Sequence, residues 1–158
     1  MYDPYIYVCE IVRVVDGDTI DVNVDLGWSI SVRKQRIRLY GVDAPESRTR
    51  DVEEKKYGKA SKKFVKDFLS SDHILLKTRE KGKYGRYLGD FCVGDKWLCD
   101  EMIKAHHAVP YYGQNKADIA AAHIRNRALV QLWPVSITLF HILEEFLASS
   151  FISKHKIF

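Results

Sequence analysis

Apolar and polar residues alternate with period two over "YIYVCEIVRVV" and, past a turn at Asp16-Gly17, over Ile20, Val22 and Val24, which are interleaved with Asp21, Asn23 and Asp25. Strict alternation predicts strands with one face buried and one wet, so residues 5–24 are expected to form two antiparallel strands. Gly27 and Trp28 break the pattern; Ile30 and Val32, then Ile37 and Leu39, resume it across the basic cluster "RKQRIR". A hairpin feeding a third strand follows. Glycine and proline in "YGVDAPE" stop that strand, and the polar loop "SRTRDVEEKK" comes next.

The period then changes. Ala60, Phe64, Val65, Phe68 and Leu69 fall at helical spacing with Lys59, Lys62, Lys63 and Lys66 opposite, which predicts an amphipathic helix over residues 57–69 with a basic outer face. Residues 74–78 and 87–93 read as two more strands joined by a basic, glycine-punctuated loop, with a turn at Gly94-Asp95. Helices are expected over residues 98–106 and 118–132. Strands, an inserted helix, more strands and two helices make an α+β fold. Five short strands suit a small antiparallel barrel of the oligonucleotide-binding type, carrying three helices.

Composition changes this picture little. The 158 residues are 46% hydrophobic and 29% charged, with no linker-like tract, as expected of one domain with a real core. A formal charge of +4 tilts the chain toward anionic partners without identifying them. Three cysteines, Cys9, Cys92 and Cys99, lack CxxC spacing and predict neither a disulfide framework nor a zinc knuckle. His106, His107 and His123 have no third ligand at convincing spacing and read as ordinary helical histidines. An acid at position 3 and the absence of a basic, apolar leader predict a cytoplasmic protein, and no run is apolar enough to span a membrane.

The candidate chemistry lies where charged residues meet glycine or proline at strand ends: "VVDGDTI", "RLYGVDAPE" and "KYGRYLG". Each alone has a plain structural reading. Asp-Gly-Asp makes a turn cheaply, Arg38 can be a solvated strand residue, Arg86 can pair with an acid, and Glu46 can cap a turn after Pro45. In this order, however, they supply carboxylates suited to Ca²⁺ or Mg²⁺ and two guanidinium forks suited to phosphate.

These segments, with the helical stretch ending in "LW", resemble the staphylococcal nuclease-like, or thermonuclease, family across residues 7–133. The resemblance implies an oligonucleotide-binding barrel with three helices and one Ca²⁺-dependent site that cleaves DNA and RNA and leaves 3′-phosphate ends. By position, Asp18 and Asp43 look like the calcium ligands, with the Ala44 carbonyl as a third. Glu46 resembles the general base, and Arg38 and Arg86 the phosphate clamps. Lys83 and Tyr84 lie where the family contacts a terminal phosphate, and Tyr112 is the better of two adjacent tyrosines to flank a base. Asp16 either steadies a water beside the cation or caps the turn. A non-catalytic nucleic-acid-binding or scaffold module of the same fold is the competing expectation, although such copies would be expected to lose some of these residues.

Two segments depart from the resemblance. The hairpin carrying Trp28 is longer, and Trp28 is expected to pack onto the barrel, with base stacking as the alternative. Residues 134–158 form an appendage in which Leu139, Phe140, Leu143, Phe146 and Leu147 make one apolar helical stripe. This predicted C-terminal amphipathic helix would dock on its own domain, pair with another copy, or bind a partner through residues 135–152. Cytosolic free Ca²⁺ is low, which keeps a virus-encoded or non-classically exported role open.

Overall fold

The computed structural model describes residues 5–82 and 85–131. The expected appendage at 134–158 lies outside them. Strands β1 (Ile6–Asp16), β2 (Thr19–Asp25) and β3 (Ser31–Leu39) form a meander; β4 (Val42–Asp43) and helix α1 (Val52–Phe68) follow. Then come β5 (Leu75–Lys81), β6 (Tyr87–Val93), β7 (Lys96–Trp97), α2 (Leu98–Lys104), β8 (Val109–Pro110) and α3 (Lys116–Gln131).

The main sheet runs β3-β2-β1-β5-β6-β7, and an additional β3–β6 pairing closes the first five strands into a barrel. The expected five-stranded barrel with three helices is thus present. Its closing seam is parallel, with Ile37 opposite Tyr87, Arg38 opposite Leu88 and Leu39 opposite Gly89. Gly89 is required there, because a Cβ at this position would lie 2.8 Å from the Lys77 carbonyl oxygen and 2.9 Å from the Leu76 side chain.

The alternating strands deliver Ile20, Val22, Val24, Ile37, Leu39, Leu76 and Phe91 into one buried core, to which α1 adds Val65 and α2 adds Leu98 and Met102. Helix α1 starts five residues before the apolar periodicity does. The reason is Asp51, whose carboxylate accepts from the Glu53 and Glu54 N–H groups and so satisfies the first turn. The start of α3 is fixed in the same way, by the Asp118 N–H donating to Asn115 Oδ1 at 2.9 Å. The small β4–β8 sheet, in which Asp43 pairs with Val109, has no counterpart in the sequence pattern, being only two residues on each side.

Candidate active site

The opening acidic turn places two carboxylates in different surroundings. Asp16 ends β1 and is buried; its Oδ1 accepts from the Gly17 N–H at 3.0 Å and the Ser47 N–H at 3.1 Å. It therefore caps the turn and also ties down the loop that carries Glu46. Asp18, one step past Gly17, stands at the barrel mouth. Its Oδ1 accepts from the Thr19 hydroxyl at 2.8 Å, and Oδ2 receives the Ala44 N–H at 3.4 Å.

Arg38, near the end of β3, joins the two segments that the sequence singled out. Its Nη1 pairs with Asp18 Oδ2, and its Nη2 donates to Asp43 Oδ1 at 3.0 Å. Three side chains from residues 18, 38 and 43 thus share one mostly buried point. The β2–β3 register, Thr19 opposite Arg38, and the Leu39 N–H donating to the Asp18 carbonyl hold it there.

The structure adds a residue that the sequence pattern left as an ordinary helical histidine. His123 on α3 brings Nε2 to 2.9 Å from Asp43 Oδ2, so both oxygens of Asp43 are engaged. Eighty positions separate the two residues, and no local motif signals the contact. Asn126, one turn on, donates to the Ala108 carbonyl at 3.1 Å and pins α3 beside β8.

These surroundings push the two carboxylates apart. Burial raises the Asp18 pKa, with Asp43 adding repulsion, and this outweighs the opposing charge of Arg38 and the Thr19 hydrogen bond. Burial acts on Asp43 in the same sense, but the His123 hydrogen bond and the Arg38 charge together hold its pKa below the ordinary value. Two carboxylates around one positive group are a hard-oxygen donor set, which fits a divalent cation such as Ca²⁺ or Mg²⁺. Among the described residues no three His, Cys, Asp or Glu side chains could hold a metal by themselves. A cation held by Asp18 and Asp43 would complete its shell with backbone or solvent oxygens.

Glu46 is exposed on the loop that continues from Ala44. Its position depends on α1: a Cβ at Gly58 would lie 2.4 Å from the Glu46 carbonyl group, so the loop rests directly on a glycine in the helix. Arg86 lies just before Tyr87, whose pairing with Ile37 sets it beside the strand that bears Arg38. Tyr112 reaches the other side of the mouth. The Tyr111 N–H donates to the Gly41 carbonyl at 2.8 Å, and the Tyr112 ring lies over Gly41 and edge-on to Tyr40, 6.3 Å between centroids. The Arg79 guanidinium lies over the Tyr40 ring, 4.3 Å from its centroid. Lys83 and Tyr84 lie outside the described residues. Trp28 does not pack on the barrel. It sits in the β2–β3 turn with φ of 56° and is 95% exposed.

Residues 36–129 match the family described as staphylococcal nuclease homologue. The chain belongs to the staphylococcal nuclease family. Among its relatives, a thermonuclease of Staphylococcus intermedius is 40% identical over 93 residues, covering 58% of this chain and 49% of that protein. A thermonuclease of Staphylococcus hyicus is 32% identical over 97 residues, covering 60% and 54%. An uncharacterized endonuclease of Escherichia coli O157:H7 is 30% identical over 126 residues, covering 78% and 74%. The chain spans about half the length of the two thermonucleases that it matches. The matched family region includes Arg38, Asp43, Glu46, Arg86 and His123, and starts after the Asp16–Thr19 turn.

Proposed function

We propose that this domain is a Ca²⁺-dependent endonuclease that hydrolyses phosphodiester bonds in DNA and RNA at the barrel mouth. The observation that carries this reading is the convergence of Asp18 and Asp43 on the single guanidinium of Arg38, in a family whose relatives include thermonucleases. Asp18, Asp43 and the Ala44 carbonyl would hold the cation, which when bound supplies Lewis-acid stabilisation of the charge that grows on the phosphate.

The chain's own residues do the rest. Glu46, free of burial and held on a loop fixed by Asp16 and Gly58, takes a proton from water as the water oxygen bonds to phosphorus. The bond from phosphorus to the 5′ oxygen breaks, that oxygen takes a proton from solvent, and the 3′ side keeps the phosphate. Arg38 and Arg86 hold non-bridging oxygens and are most effective where negative charge is greatest, in the transition state. Tyr112 on the rim flanks a base, and Lys83 with Tyr84 contacts a terminal phosphate.

The test is cleavage of single- and double-stranded DNA and of RNA by the purified protein with Ca²⁺, with Mg²⁺ and with chelator, followed by identification of the ends. Cutting that requires Ca²⁺ and leaves 3′-phosphates supports the reading. Binding without cutting under all three conditions overturns it in favour of a non-catalytic binding module.

A further inference from the structure

The outer face of the β1–β2–β3 sheet carries a cationic arrangement that the catalytic reading does not use. Arg13 on β1, Asp21 on β2 and Arg36 on β3 stand opposite one another in register. Asp21 is 8% exposed and accepts from both arginines: Arg13 Nε at 2.7 Å, and Arg36 Nε at 2.7 Å with Nη2 at 3.0 Å. The arginine side chains themselves are 64% and 46% exposed. Both Nη groups of Arg13 and the remaining Nη of Arg36 bond to no other described residue, so donors already fixed in direction face solvent. One carboxylate against two guanidiniums leaves a net positive charge.

The position matters as much as the charge. Arg36 and Arg38 are two residues apart on β3 and therefore on the same face, separated by about 6.6 Å of strand rise. The next rung toward the mouth pairs Thr19 with Arg38. The parallel seam pairs Ile37 with Tyr87, so the backbone of Arg86 begins beside the level of Arg36. Acidic groups on this face lie further from the mouth: Glu10, which accepts from Asn23 at 3.0 Å, and Asp25, which accepts from the Gly27 N–H at 2.8 Å. Arg13 and Arg36 thus form a cationic patch one same-face rung from Arg38, whose own charge is taken up by Asp18 and Asp43.

We infer that Arg13 and Arg36, held by Asp21, form a phosphate-binding subsite that grips a single-stranded polynucleotide next to the cleavage site. This rests on the nuclease reading for the choice of ligand. Fixing the guanidiniums in advance lowers the ordering cost of each phosphate contact, which is the physical use of a mostly buried carboxylate placed under two exposed arginines.

The test is binding of fluorescent dodecathymidylate in chelator, followed by anisotropy across a salt series, with cleavage assayed separately on the wild type. Two lost phosphate contacts on a single strand reduce the slope of log K against log salt by about 1.4, equivalent to about 25-fold weaker binding near 0.1 M salt. That is expected of the Arg13→Ala/Arg36→Ala double variant. The Arg13→Lys/Arg36→Lys variant is expected to recover most of the slope. Asp21→Asn keeps both cations, so its salt slope should stay near the wild-type value. A cross-strand staple with no ligand would behave differently: Asp21→Asn and the double alanine variant would shift together, and only through stability. Unchanged slope in the double alanine variant, or a slope in Asp21→Asn reduced as far as in that variant, overturns the subsite while leaving the nuclease reading intact. Wild-type protein that neither binds nor cleaves overturns the nuclease reading itself, and the subsite with it.

Discussion

Gly58 lies inside α1, three turns of sequence away from any motif, yet it governs where Glu46 sits. A Cβ at this position would be 2.4 Å from both the carbon and the oxygen of the Glu46 carbonyl and 2.5 Å from the Ser47 nitrogen. All three are backbone atoms, so no side-chain rotation relieves the clash. To reach the roughly 3.5 Å of an ordinary carbon contact, the loop must move by about 1 Å. A displacement of about 1 Å at a reacting group costs on the order of 10²-fold in rate. Stability should change less. Overpacking costs about 1–3 kcal/mol, whereas alanine exceeds glycine in helix propensity by about 1 kcal/mol, so the net loss is about 0–2 kcal/mol. The assay is the initial cleavage rate of Gly58→Ala beside its thermal melt, with Lys59→Ala, whose side chain points to solvent on the same helix, as the reference. A Gly58→Ala rate within about threefold of wild type, a change in barrier of only ~0.7 kcal/mol, would refute the claim that the α1 surface positions Glu46.

Further outcomes follow from other contacts. His123→Asn removes the partner of Asp43 Oδ2 and, with Asp43 holding the cation as proposed, should lower the cleavage rate by about 10–100-fold, the usual cost of losing a group that orients a metal ligand; a rate equal to wild type in a folded variant would contradict that role. His107 packs on Phe64 at 4.7 Å between ring centroids, and burial lowers its pKa from 6.5 to about 4. The unfolded chain therefore binds this proton first, so stability is complete above about pH 6.5 and falls by about 2–3 kcal/mol on acidification toward pH 4. The difference in melting curves between wild type and His107→Gln over that range checks it, with no divergence as the contrary result. Trp28→Ala should change stability by no more than about 0.5 kcal/mol because the ring touches solvent almost everywhere. A larger loss in a denaturant melt would mean that Trp28 is covered.

How much of this was legible in the sequence depended on whether the physics was local. The alternation of Ile20, Val22 and Val24 and the stops at Gly17 and Pro45 express short-range constraints, so the strands and the mouth loops were readable. Asp18, Arg38 and Asp43 could be grouped only through the family resemblance, since nothing in their spacing states that one guanidinium bridges both carboxylates. The role of His123 rests on the packing of α3 against β8, and that of Gly58 on a helix passing under a loop twelve residues upstream. Both are tertiary facts without a periodic signature. The exposure of Trp28 is likewise a tertiary fact: it sits at the tip of the β2–β3 hairpin, and no local pattern states whether another element covers that tip. The Arg13–Asp21–Arg36 grouping was hidden by register: the residues become neighbours only when three strands align.

In the proposed function, Glu46 activates water beside the Asp18–Arg38–Asp43 cluster. The most direct measurement compares wild type and Glu46→Gln for cleavage of one end-labelled single strand across a Ca²⁺ titration, with circular dichroism to show that both are folded. Cutting by wild type should rise with Ca²⁺, and Glu46→Gln should lose at least about 10²-fold, within the range for removing a general base. Equal rates for the two proteins, or cutting by wild type that is indifferent to Ca²⁺, would contradict that function.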